Sequence, residues 1–255
     1  MNQHLSDEEL LRYSRQILLA HVDIDGQLKL KNSRVLIVGL GGLGSPVALY
    51  LAAAGVGELH LADFDSVDLS NLQRQIAHDT SSLGQPKVES AAKRLRAINP
   101  AIQLQLYPAG LDADSLGAAV AGVDLVLDCS DNFGTREAVN AACVAAGKPL
   151  VSGAAIRLEG QLAVFDPRQA DSPCYHCLFG HDSEAELTCR EAGVLGPLVG
   201  LVGSLQALEA LKLLAGFGQS LVGRLLLIDG LGCHFRELRV KRDPACSVCG
   251  VARGE

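Results

Sequence analysis

Positive charge is scarce in this chain. Its 22 Lys and Arg against 29 Asp and Glu leave a net charge of −7, which argues against general nucleic-acid binding and against attachment to anionic lipid. An anionic substrate would have to meet a local cluster of basic groups. The N-terminus is polar and acidic, with no apolar core before a cleavage site, so no secretory signal is read. An uninterrupted membrane span is missing too. The most apolar stretch, Val194 to Ala215, is broken by Pro197, Ser204, Gln206, Glu209 and Lys212. Charged groups at bilayer depth cost about 2.5–3.5 kcal/mol each, so a buried core helix is the better reading. There is no internal repeat, no low-complexity tract and no linker rich in Pro, Gly or Ser, which favours one continuous fold. Eight cysteines without a secretory signal point to a reducing, cytoplasmic setting, and to metal or catalysis ahead of disulfides.

What is present is organised around Ser33 to Asp65. Arg34 to Val38 is a β-branched and leucine run suited to a buried parallel strand. Gly39-Leu-Gly41-Gly42-Leu-Gly44 follows at once, and an alanine-rich helix then runs to Ala54. Pro46 suits a first helical turn and Gly55 a C-terminal stop. A second strand, Glu58 to Ala62, ends at Asp63. Such glycines let the backbone pass close to phosphate oxygens, and a helix N-terminus offers free N–H groups and a positive dipole end. An acid about 20 residues further on accepts ribose hydroxyls, and Asp63 is placed to do so. Strand, glycine turn, helix, strand and acid in order make a nucleotide site.

The remaining segments extend this pattern. Ser6 and Glu9 form a capping box, opening a helix expected to reach about Leu19. Asp23 to Lys31 reads as a connector with one helical turn. A polar segment containing Ser70, Asn71 and Arg74 lies beyond the second strand's carboxyl end, where ligands of open α/β sheets bind. Pro86 begins a helix stopped by Asn99-Pro100. Strands are expected over Ile102 to Leu106, Asp124 to Asp128 and Pro149 to Ser152, with helices over Ser115 to Ala121 and Thr135 to Ala146. The fold class is therefore α/β: a doubly wound, Rossmann-like, mainly parallel sheet. Residues 1–32 form an N-terminal helical segment and 33–152 the nucleotide-binding unit. In residues 153–255 the sheet is continued by strands Gln161 to Phe165, Leu225 to Asp229 and Phe235 to Lys241.

Two C-x-x-C pairs, Cys174 with Cys177 and Cys246 with Cys249, carry a strong metal signal. Four thiolates satisfy tetrahedral zinc and leave no open position, so the zinc is expected to be structural. A redox pair is the weaker alternative, and His176 is a possible further ligand. Arg15, Arg74 and Lys87 are each ordinary surface cations in isolation. Around one nucleotide turn on an acidic protein they favour a triphosphate over a nicotinamide cofactor, and Asp131 at a strand end can hold Mg²⁺. Cys129 and Cys143 look like core cysteines, and Cys233 carries no motif.

Arg12-Tyr-Ser-Arg15-Gln, Gly39-Leu-Gly-Gly-Leu-Gly44, Ser70-Asn-Leu-Gln-Arg-Gln75, Pro86-Lys87, Asp128-Cys-Ser-Asp131-Asn132 and the cysteine pairs together resemble the MoeB/ThiF family. These are bacterial relatives of the ubiquitin-activating enzymes. The resemblance runs from about Leu5 to Gly250. Val151 to Ile156, Glu159 to Gln161 and Leu187 to Val194 look more like the MoeB branch.

The resemblance implies ATP-dependent adenylation of the C-terminal glycine of a small ubiquitin-like sulfur carrier ending in Gly-Gly. The carrier most suggested is the small subunit of molybdopterin synthase, with residues 153–255 binding carrier and zinc. It implies that Gly39, Gly41, Gly42 and Gly44 form the nucleotide turn and that Asp63 takes the ribose. Ser70, Asn71, Arg74, Lys87 and Asn132 would line the phosphate site, and Asp131 would hold Mg²⁺. In a homodimer, Arg15 would reach the ATP of the neighbouring subunit. Attack by an ionised carboxylate needs no general base, so the lack of a Ser-His-Asp or Cys-His set is expected. Cys189 would either carry the activated carrier as a thioester, or take part in sulfur transfer, or have no covalent role. The chain ends six residues after Cys249 with no sulfurtransferase domain, so a separate protein is expected to donate sulfur. The rivals are adenylation of the thiamine-pathway or another carrier, an NAD-dependent dehydrogenase, and a zinc-bearing scaffold that binds carriers without catalysis.

Overall fold

The computed structural model describes residues 4–180 and 193–250. Eight strands form one sheet in the order β3-β2-β1-β4-β5-β6-β7-β8. They are β1 Arg34–Val38, β2 Glu58–Ala62, β3 Gln103–Tyr107, β4 Leu125–Asp128, β5 Leu150–Ile156, β6 Glu159–Phe165, β7 Arg224–Asp229 and β8 His234–Arg239. The first five pair in parallel. From β5 onward the pairs are antiparallel, so the expected C-terminal extension of the sheet is present. Connections leave β1 toward β2 on one side and return to β4 on the other. That reversal opens a crevice at the carboxyl ends of β1 and β4.

Helices cover both faces: α1 Asp7–Arg12, α2 Ser14–Ile17, α3 Asp23–Lys31, α4 Gly44–Ala54, α5 Lys87–Ile98, α6 Ala113–Ala121, α7 Phe133–Ala146, α8 Tyr175–Phe179 and α9 Gly196–Ala215. The alternation of β1 divides the core in two. Val35 and Ile37 face α4, α5 and α9, with Val47, Leu51, Leu95 and Val202 among their buried neighbours. Leu36 and Val38 face α6 and α7, joined by Val120, Val139, Phe165 and Tyr175. Cys143 is buried on this side and Cys129 on the other, both as core cysteines.

Two expectations for the N-terminal segment are corrected. The helix capped by Ser6 does not run to Leu19: it breaks at Tyr13. The Tyr13 ring is drawn into the core beneath Gly55, and its hydroxyl accepts a hydrogen bond from Asn99 Nδ2 at 2.8 Å. Asp23–Lys31, expected as a connector, is a nine-residue helix. Gly26 and alternating charges hide it in sequence, but tertiary contacts override weak propensity. Gly26 packs on Val22 and Ala215, and fully buried Gln27 donates to the Ala54 carbonyl at 2.9 Å.

Helix α9 has the length and apolar composition to cross a membrane. It packs instead on α4 and the sheet, with Leu198, Val202, Gln206, Glu209 and Ala210 buried. Its two buried polar groups are both satisfied: Gln206 Nε2 donates to the Asp128 carbonyl at 2.8 Å, and Glu209 accepts from the Leu221 N–H at 2.9 Å.

Candidate functional site

The glycine turn is built by backbone crowding. Gly39 adopts φ +90°, and a Cβ there would lie 2.8 Å from the Cys129 carbonyl oxygen. At Gly44 a Cβ would stand 1.9 Å from the Gly39 oxygen. Gly41 differs: it is not at positive φ, and its Cβ position is 3.5 Å from Gln75 Nε2 and otherwise faces open space. The Leu40 peptide is pinned at both ends. Its N–H donates to Asp63 Oδ2 at 2.7 Å, and its carbonyl pairs with His78 Nε2 at 3.0 Å. The other Asp63 oxygen accepts the Asp65 N–H at 2.8 Å. Asp63 is thus oriented by two backbone donors and keeps lone pairs for sugar hydroxyls.

A cavity of about 470 Å³ opens beside this turn. Its lining combines apolar Val38, Ala62, Leu111 and Leu116, suited to a flat base, with Asp63, the bare backbone of Gly41 and Gly42, and the charged groups Arg74, Lys87 and Asp131. Lys87, the first residue of α5, is 4% exposed and held by Asp65 at 2.8 Å. Arg74 is aimed by the Ser70 carbonyl and Asn71 Oδ1, each at 3.1 Å. Asn132 lines the cavity while its Oδ1 caps α7 through the Thr135 N–H. Asp131 is exposed at the cavity edge.

The structure therefore gathers Gly41, Gly42, Asp63, Arg74, Lys87, Asp131 and Asn132 in one place. Gly39 and Gly44 shape the turn from behind, and Ser70 and Asn71 brace Arg74. Arg15 is exposed on α2 and does not reach the cavity of its own chain. Cys189 lies outside the described residues. Sequence reasoning gave no role to Gln75 or His78, both buried and both on the polar segment. Set among polar neighbours such as Arg74 and Asp79, neither carries a distinguishing signal in the sequence.

The four cysteines meet as expected, their Sγ atoms all within 4.8 Å of one another. Cys174 to Cys177, Cys174 to Cys246 and Cys177 to Cys249 measure 3.8, 3.7 and 3.4 Å. Zinc–sulfur bonds of about 2.3 Å in a tetrahedron separate the sulfurs by about 3.8 Å, so the donor set fits zinc, while a disulfide would need about 2.05 Å. Burial raises the Cys246 thiol, but the N–H groups of Cys249 and Val248 outweigh it and bring its pKa to about 7. His176 is no ligand here. Its Nδ1 pairs with Glu137 at 2.9 Å and its Nε2 with Ser247 at 3.0 Å, so it ties the cluster to α7.

Residues 13–248 match the ThiF family. The chain belongs to that family. Among its relatives, the molybdopterin-synthase adenylyltransferase of Escherichia coli K12 is 56% identical over 96% of this chain and 98% of its own length. The sulfur carrier protein ThiS adenylyltransferase of the same organism is 50% identical over 98% and 99%. Among solved structures, this ThiF-family chain resembles E. coli MccB crystallised with ATP. The TM-score is 0.81 at 26% identity, over 94% of this chain and 74% of that one.

Proposed function

We propose that this chain adenylates the C-terminal glycine of a small ubiquitin-like sulfur carrier, the small subunit of molybdopterin synthase being the leading substrate. The observation that carries this is the set of groups that line one cavity. One cavity combines an apolar slot, an oriented acid, a bare backbone turn, two fixed cations and a carboxylate that makes no ion pair among the described residues. A nicotinamide dinucleotide would use the slot, the acid and the turn, but has no use for the two cations and the carboxylate beyond them. The 56% identity to a molybdopterin-synthase adenylyltransferase over nearly the whole chain supports the same substrate class. The ThiS adenylyltransferase relative keeps the thiamine-type carrier as the second reading.

The carrier's terminal carboxylate, with a pKa of about 3.3–3.7, is ionised at neutral pH and attacks the α-phosphorus of ATP without a base. A carboxyl oxygen–phosphorus bond forms, and the bond from the α-phosphorus to the bridging oxygen breaks. The electron pair leaves on pyrophosphate, and no proton moves. Lys87 and Arg74 supply charge to the departing group, and Asp63 fixes the ribose. Asp131 is the residue to hold Mg²⁺, whose charge would further neutralise the phosphates. Ala155, Val194 and Val199 offer a narrow apolar wall for a Gly-Gly tail. Arg15 acts on the neighbour's ATP across a homodimer, in keeping with its distance from its own cavity and with exposed Leu11 and Leu18 nearby. Sulfur comes from a separate donor protein, and the setting is cytoplasmic.

The test is exchange of labelled pyrophosphate into ATP with candidate Gly-Gly carriers offered side by side. Strongest exchange is expected with the molybdopterin-synthase small subunit, and none with Asp131→Ala. Absence of exchange with every carrier, or tight NAD binding in place of Mg-ATP, would overturn the proposal.

A further inference from the structure

Gln75 stands out in the cavity wall. It is 4% exposed, Oε1 is buried without a hydrogen-bond partner, and no side-chain bond to Nε2 is made among the described residues. Burying an amide unpaired costs about 1–3 kcal/mol on protein scales, and few native groups are left so. The other buried polar side chains nearby on the same segment are engaged: Asn71 holds Arg74, and His78 holds Leu40 and Ser90. Gln75 lies against Gly41, where Nε2 is 3.5 Å from the position a Cβ would take. It therefore sits in the cavity lining beside the Gly41 backbone that a phosphate must approach.

We infer that Gln75 is a catalytic residue whose side-chain amide donates a hydrogen bond to a non-bridging oxygen of the α-phosphate, the atom group at which the carboxylate attacks. Oε1 is the buried end; Nε2 is on the Gly41 side, makes no hydrogen bond among the described residues, and an N–H there can donate to an anion. A neutral donor suits this position. Lys87 and Arg74, in the same lining, already supply full charges, whereas charge at the α-phosphorus builds up only as the fifth bond forms. A donor fixed there before the reaction stabilises the transition state more than bound ATP. This rests on the adenylation reading.

The test uses the full chain with Mg-ATP and a recombinant carrier ending in Gly-Gly. Gln75→Met keeps the volume and removes the donor. The expected result is a fall in kcat for adenylate formation of roughly a hundredfold, with KM for ATP changed by less than about threefold. Thermal stability should be unchanged or higher, because no internal hydrogen bond is lost. Gln75→Glu, which adds a negative charge, should be slower still. ATP carrying sulfur at one α-oxygen gives a second readout. The rate difference between its two diastereomers should shrink in Gln75→Met. A kcat within twofold of wild type, an unaltered diastereomer ratio, or a loss of activity that only tracks a fall in Tm would each overturn the assignment. If wild type itself shows no carrier-dependent exchange, the adenylation reading falls and takes this inference with it. Normal exchange by both wild type and Gln75→Met overturns this inference alone.

Discussion

Gly41→Ala and Gly44→Ala differ by three positions and should fail in opposite ways. At Gly44 the new methyl would meet the Gly39 carbonyl oxygen at 1.9 Å. Both sides of that contact are backbone, so the start of α4 or the end of β1 must move by more than an ångström. Overpacking of this kind costs about 3 kcal/mol or more. In a chain of this size 1 kcal/mol corresponds to about 2–4 °C, so Tm should fall by about 6–12 °C. At Gly41 the methyl finds only Gln75 at 3.5 Å, an ordinary contact, and the backbone is not at positive φ. Replacing glycine there reduces the freedom of the unfolded chain, worth about 0.4–1 kcal/mol, so Tm should hold or rise by up to about 4 °C. The same methyl fills the approach of a phosphate oxygen to the turn. Losing one hydrogen bond to a charged oxygen costs about 1.5–3 kcal/mol, so Mg-ATP should bind about 10- to 150-fold more weakly. Circular-dichroism melting and titration calorimetry read the two effects separately. A Gly41→Ala protein that melts early, or that binds Mg-ATP like wild type, would refute the reasoning.

Three further outcomes are expected. Metal analysis of purified protein should find one zinc per chain, and Cys174→Ser or a strong chelator should lower Tm; a metal content well below one per chain would count against the cluster geometry. Burial, aided by Lys87 and opposed by the Leu40 carbonyl bond, lowers the His78 pKa below its ordinary 6.5. The unfolded chain therefore takes up that proton first. Stability present above pH 6.5 is lost as pH falls through 6.5 toward the folded value, and His78→Gln, compared by melting at pH 7.5 and 5.5, should weaken that dependence. Arg15→Ala and Asp131→Ala proteins should each be inactive in adenylation. Co-refolded, they should recover about a quarter of wild-type activity, because about half the dimers are mixed and each mixed dimer keeps one intact site; no recovery after confirmed subunit exchange would put Arg15 in its own chain's site.

Legibility followed the physics of each element. Strand β1 was readable to the residue because its apolar run Val35 to Val38 is unbroken and buried, and β2 because its buried Leu59 and Leu61 alternate with half-buried Glu58 and His60. Helix α3 was not. Its residues are mostly polar, and what holds it, Gln27 on the Ala54 carbonyl, comes from a segment 27 positions away. Helix α8 was hidden inside a cysteine spacing that reads as a loop, and Tyr13 broke a helix whose local signals were continuous. In the site, the charged groups were readable because charge near a glycine turn has few uses. Asn71, read as part of the phosphate site, is buried with its Oδ1 on Arg74, a contact that the sequence does not announce. Gln75 and His78 were not readable, since a buried amide and a buried imidazole announce themselves only when their partners, or the lack of them, can be seen.

Helix α9 bears on how this protein could be modular. Val199 closes on Gly42, Gly203 lets α9 approach the Leu43 carbonyl, and Gln206 grips the carbonyl at the end of β4. The floor of the nucleotide turn is thus supplied from about 160 positions downstream of the turn itself. A fragment ending near residue 152 would keep every glycine and every acid of the signature and lose the surface that holds them. Recombination between relatives is then constrained: α4 and α9 must be inherited together, and grafting the glycine turn alone would transfer the motif without the site.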